Sequence, residues 1–153
     1  MAQRVKIIRN ISWNLELHNE VNIVASMLVK DIRDGIASKK DIDGNSFKPL
    51  KASTIRQKKR KGYTNPTTPL WAKGQMKEVY IKPRAKKGKE IAKIQVPKGR
   101  DGINRIVIGD IHNKGEGDIP QRKWYGVGKR AEQKIDKYVQ QALREKMRLK
   151  KWP

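Results

Sequence analysis

Asn19-Glu-Val-Asn-Ile-Val-Ala-Ser-Met-Leu-Val-Lys-Asp-Ile-Arg-Asp-Gly-Ile-Ala-Ser38 is the stretch from which the architecture is read. Val21, Val24, Ala25, Leu28, Ile32 and Ile36 recur at spacings that put them on one face of a helix with 3.6 residues per turn. Asn19 is the expected N-cap, and Glu20 falls in the first turn, where the helix dipole favours an anion. The period ends near Ser38, ahead of the turn-forming Asp41-Ile42-Asp43-Gly44-Asn45.

N-terminal to this helix, Ile11, Trp13, Leu15 and Leu17 alternate with polar residues. Residues 1–18 therefore read as a half-buried strand, or as an extended arm that adds a strand to a neighbour. Downstream, Ser53 or Thr54 is expected to cap a short helix from Ile55 to Lys61, closed by Gly62. Tyr63–Pro69 reads as an irregular loop, and Met76–Ile81 fits a strand or a short helix. Residues 83–102 form a hairpin region. Ile91–Val96 alternates as a strand that stops before Pro97, and Ile103–Ile108 is expected as its β-branched partner across a turn at Lys98–Gly102.

Beyond Gly128 the helical period returns. Ala131, Ile135, Tyr138, Val139, Ala142, Leu143 and Met147 form one stripe, giving a C-terminal helix over 128–150. The expected fold class is α+β, in one domain over residues 1–153. A small antiparallel sheet packs with a long N-terminal helix and a C-terminal helix, with extended arm and loops.

Composition narrows the function. The 153 residues hold 37 Lys and Arg against 15 Asp and Glu, a net charge of +22. Such a surface attracts polyanions, whether nucleic acid or acidic protein partners. At 36% hydrophobic and 34% charged, with mean hydropathy −0.85, apolar residues are thin for a self-sufficient globule. The absence of cysteine excludes disulfides, thiolate metal sites and cysteine catalysis. Met1–Ile11 lacks the apolar core of a signal peptide, and no apolar run is long enough for a bilayer span. A protein made in a cytoplasm is expected.

Little supports chemistry. Asp41, Asp43 and Asn45 alternate like the start of a calcium loop, but no glycine stands at its sixth position, and the twelfth is Ala52. His112, Glu116 and Asp118 are too few to argue a metal site. Lys87-Gly88-Lys89 and Gly126-Val127-Gly128-Lys129 lack phosphate-loop spacing. No catalytic, cofactor-binding or metal residue is assigned. Arg56, Lys58, Lys59, Arg60 and Lys61 form the densest basic run. With Arg144, Lys146, Arg148, Lys150 and Lys151 they are candidate contacts to DNA or acidic partners, or a solvated face.

Three segments carry a family resemblance. The first is Asp43-Gly-Asn-Ser-Phe-Lys-Pro-Leu-Lys-Ala-Ser-Thr54, and the second is Thr68-Pro-Leu-Trp-Ala-Lys-Gly-Gln-Met76. The third runs Ile108-Gly-Asp-Ile-His-Asn-Lys-Gly115, then Ile119-Pro-Gln-Arg-Lys-Trp-Tyr-Gly126. In this order the segments resemble the phage virion morphogenesis, or tail-completion, family of the Mu type. There a strand leads into a turn of His, Asn or Gln, x and Gly, followed by an Ile-Pro-x-Arg-x-aromatic-x-Gly element and a terminal helix. Lys73, Met76, Gln121 and Tyr125 depart from its usual residues.

The resemblance implies a non-enzymatic virion subunit without cofactor, assembled in the host cytoplasm. It would form a ring, expected to be a hexamer, at the head–tail junction or neck. Its neighbours would be neck, tail-terminator, tail-tube or connector proteins, with packaged DNA in the channel and no membrane. Trp13, Ile119, Pro120, Arg122, Trp124 and Tyr125 are the expected subunit-interface residues. Trp124 and Tyr125 are equally suited to packing the C-terminal helix on the sheet. A basic nucleic-acid-binding protein without catalysis is the alternative.

Overall fold

The computed structural model describes the backbone of residues 3–6 and all atoms of residues 16–97 and 105–149. In chain order the elements are strand β1 (Gln3–Lys6), helix α1 (His18–Ser38), helix α2 (Ala52–Arg60), strand β2 (Tyr80–Ile81), strand β3 (Ile91–Gln95), helix α3 (Arg105–Lys114) and helix α4 (Lys129–Leu149). A single 3₁₀ turn, Gln75–Lys77, precedes β2. The fold is α+β.

Helix α1 buries the expected stripe, from Val21 to Ile36, and adds Val29 and Gly35 to it. It begins one residue before Asn19, after a buried Leu17, with no side chain capping its first N–H groups. Burial of Leu17 anchors that end instead. At the other end Lys39 takes left-handed backbone angles and donates its N–H to Gly35 and Ile36 carbonyls, which closes the helix. Asp41 Oδ1 then accepts from the amides of Asp43 and Asn45. The alternating Asx residues thus make a turn.

The sheet is antiparallel in the order β1-β3-β2. In β3, Ala92 and Ile94, continued by Val96, turn inward against α1, as their alternation requires. Residues 82–90 link β2 to β3, so the hairpin tip lies at Lys86–Lys89.

Two expectations are corrected. Ile103–Ile108 is not the partner of Ile91–Val96, because residues from Arg105 onward form α3. Three consecutive β-branched residues suit a strand, but so short an apolar run has no period of its own. Tertiary packing decides it: Gly109 is buried against the ring of Trp124, whereas Val107 is 52% exposed. The His112-Asn113 pair of the third segment therefore sits in a helix rather than after a strand, and Gly115, at φ 77°, ends it. The expected turn at 98–102 lies outside the described residues, as do 7–15, which hold Trp13 and most of the alternating arm.

Helix α4 lies on the core through Ala131, Ile135, Tyr138 and Val139. Its link to α1 is polar. Arg130 donates to Asp31 through Nε at 2.9 Å and Nη2 at 2.8 Å, and Nη2 also reaches the Asp31 carbonyl. Past Val139 the apolar stripe runs on through the half-buried Ala142 and Leu143, and among the described residues Met147 is exposed and Leu149 almost fully so. No helix among the described residues is long and apolar enough to cross a membrane.

Candidate functional site

Three stretches far apart in the chain, 48–58, 70–76 and 105–122, meet around one open groove of about 800 Å³. The first supplies Pro49 and Leu50, the second Leu70, Trp71 and Met76, the third Ile108, Ile119 and Pro120. Each belongs to one of the segments singled out in the sequence. Leu70 holds a left-handed backbone conformation, rare for a side-chain-bearing residue, which turns the chain into Trp71. Lys77 Nζ lies 4.3 Å from the centre of the Trp71 ring and covers one of its faces.

Arg122 organises the floor. Only 3% exposed, it donates from Nε to the Lys48 carbonyl at 2.9 Å and from Nη2 to the Pro49 carbonyl at 3.2 Å. Nη1 faces the Pro120 carbonyl at 3.5 Å and His112 Nδ1 at 3.2 Å. Guanidinium can only donate, so His112 Nδ1 accepts and the ring is neutral with its proton on Nε2. Burial, then the charges of Arg122 and Lys58, push the His112 pKa down to about 4. Lys58 Nζ donates to the Thr68 carbonyl at 2.7 Å, and its pKa is lowered by burial and by Arg122.

The predicted interface residues divide. Ile119 and Pro120 are half-buried on the groove wall. Arg122, Trp124 and Tyr125 are buried inside the chain, the aromatics 2% exposed each, and Arg122 lies at the base of the groove. Trp124 Nε1 donates to the Gly109 carbonyl at 2.8 Å, and the Tyr125 hydroxyl donates to the Ile94 carbonyl at 2.7 Å. With ring centres 5.3 Å apart, the pair fastens α3 to β3. Of the two readings of these aromatics, core packing describes their placement, because an indole N–H and a phenol both find buried acceptors there.

The predicted cationic residues divide as well. Arg56, Lys59, Arg60 and Lys61 are exposed on and just after α2, whereas Lys58 turns into the groove. Arg144 and Arg148 are exposed on α4; Lys146 is engaged by Glu20 at 3.0 Å and by the Glu16 carbonyl. Lys150 and Lys151 lie outside the described residues. Among the described residues no group of three or more His, Asp or Glu side chains could hold a metal, and the His112 ring faces Arg122. Sequence reasoning missed the meeting of Lys58 and His112, which no spacing in the chain signals.

A family model described as the phage virion morphogenesis family matches residues 6–144. The chain belongs to that family. No curated protein and no solved structure matches it. As a phage virion morphogenesis protein it is a structural component of the virion. The match runs from before α1 into α4 and takes in every residue lining the groove.

Proposed function

We propose that this protein is a tail-completion or neck subunit that assembles into a ring, a hexamer by expectation, at the head-proximal end of the tail and joins it to the head. Assembly is supported chiefly by α4: its apolar stripe outruns the chain's own core, leaving Met147 and Leu149 exposed on a helix otherwise rich in Lys and Arg. Exposed apolar residues continuous with a buried stripe gain stability from a neighbouring subunit. The chain also carries +22 charges that an acidic neighbour or packaged DNA would neutralise. Ring partners and the neck, tail-terminator, tail-tube or connector proteins are its proposed contacts.

Light scattering at roughly physiological salt and at several times that concentration tests the reading. A discrete ring-sized species at both supports it. A monomer that binds DNA steeply at low salt favours the second reading, a nucleic-acid-binding protein, to which the exposed Arg56, Lys59 and Arg60 lend support.

A further inference from the structure

The groove has walls of one chemistry and a floor of another. Trp71, Met76, Ile108, Ile119 and Pro120 make its sides apolar. At its base lie Arg122 and Lys58, with Lys48, Lys51 and Lys73 at the exposed rim; the one carboxylate lining it is Asp118, itself exposed. Burial is the sole influence moving Arg122, and a like charge, not a carboxylate, acts beside Lys58. Neither cation forms an ion pair among the described residues. Donors remain to be used: Thr68 takes one of the three Lys58 N–H bonds, and Arg122 keeps one Nη2 N–H beyond its four contacts. A buried and a half-buried cation side by side without counter-charge are costly, and an incoming anion offsets that cost.

We propose that this groove docks an extended segment of a different protein, one in which carboxylates alternate with apolar side chains. A carboxylate lies against Lys58 and Arg122, and the apolar side chains lie against Trp71, Met76 and Ile119. Charge complementarity selects the occupant. A second copy brings +22 of its own, and in the arm, residues 1–18, Arg4, Lys6 and Arg9 outnumber the single acid Glu16, which is already paired with Lys87. Duplex DNA presents hydrated phosphates on a convex surface and has nothing to bury against apolar walls. The inference rests on reading the groove as a docking surface and is independent of ring closure.

The test uses the full chain and an acetylated, amidated hexapeptide alternating leucine and aspartate, titrated calorimetrically and by NMR at roughly physiological salt. Expected is saturable binding with shifts at the Trp71 indole and Met76 methyl. The same peptide with asparagine for aspartate should bind about tenfold or more weaker, the scale of a lost charge-assisted contact. Lys58→Met and the rim pair Lys51→Gln with Lys73→Gln should each weaken it several-fold, their folding verified by thermal unfolding; the rim pair serves if the floor variant unfolds.

Equal affinity for the asparagine peptide overturns the proposal, and so does equal competition by polyaspartate. An oligothymidylate that reproduces the Trp71 and Met76 shifts would assign the groove to nucleic acid. Trp71 shifts that depend on protein concentration alone would assign it to a second copy. Light scattering reads ring closure separately, so a ring that ignores the peptide sinks only this inference, and a monomer that binds it sinks only the ring.

Discussion

At Gly109 the chain has no room for a side chain: a Cβ there would stand 2.6 Å from the Trp124 ring and 3.1 Å from the Met76 methyl. Gly109→Val is therefore expected to cost about 1–3 kcal/mol in denaturant unfolding, despite the better helix propensity of the larger residue. His112 carries the second prediction at this scale. Its folded-state pKa, about 4, lies below the ordinary 6.5, so between those values the unfolded chain binds a proton that the folded chain refuses. Its stability contribution is complete above about pH 6.5 and declines as pH falls toward 4. With its partial exposure discounted, the loss is on the order of 2 kcal/mol. Unfolding free energies of wild type and His112→Gln at pH 7 and 4.5 measure it; parallel slopes would remove His112 as the cause. Neither residue's role was visible in the sequence, since both depend on a partner 10 to 15 positions away that folding alone brings near.

Between elements, polar staples do what the thin apolar composition leaves undone. Arg130 reaches from α4 to both carboxylate oxygens of Asp31 on α1, with both side chains largely buried. Gly35 makes this possible, because a Cβ there would collide with the guanidinium. Arg130→Met leaves Asp31 unpaired and is expected to destabilise by about 2–4 kcal/mol, whereas adding Asp31→Leu should recover much of that loss. Thermal and urea unfolding of the two variants distinguishes a pair that matters as a pair from one that merely fills space. In the sequence α1 was legible because twenty residues repeat one period. Elements β3 and α3 were legible only in part: β3 alternates, but Ile106-Val107-Ile108 carries no period and became helix where Trp124 needed a flat surface at Gly109.

For the whole molecule, the +22 charge is divided by the fold into two populations. Arg56, Lys59 and Arg60 stand in solvent, whereas Lys58 and Arg122 are drawn into the groove. Replacing the three exposed cations with glutamine should leave unfolding free energy within about 0.5 kcal/mol. It should also flatten the salt dependence of any DNA binding by up to about three counterions' worth, read as the slope of log affinity against log salt. An unchanged slope would remove this face from DNA contact.

The positions of α1 and α4, the inward face of β3, the Asx turn at Asp41 and membership of the family followed from the chain itself, because each rests on neighbours within a few residues or on short ordered motifs. The tertiary structure alone decided that Trp124 and Tyr125 are core rather than contact surface, and that residues 105–114 are helical. It also decided that Lys58, His112 and Arg122 share one floor. Local periodicity records which side of an element is apolar. It does not record which distant side chain fills that side, or where a charge goes when burial leaves it without a counter-ion.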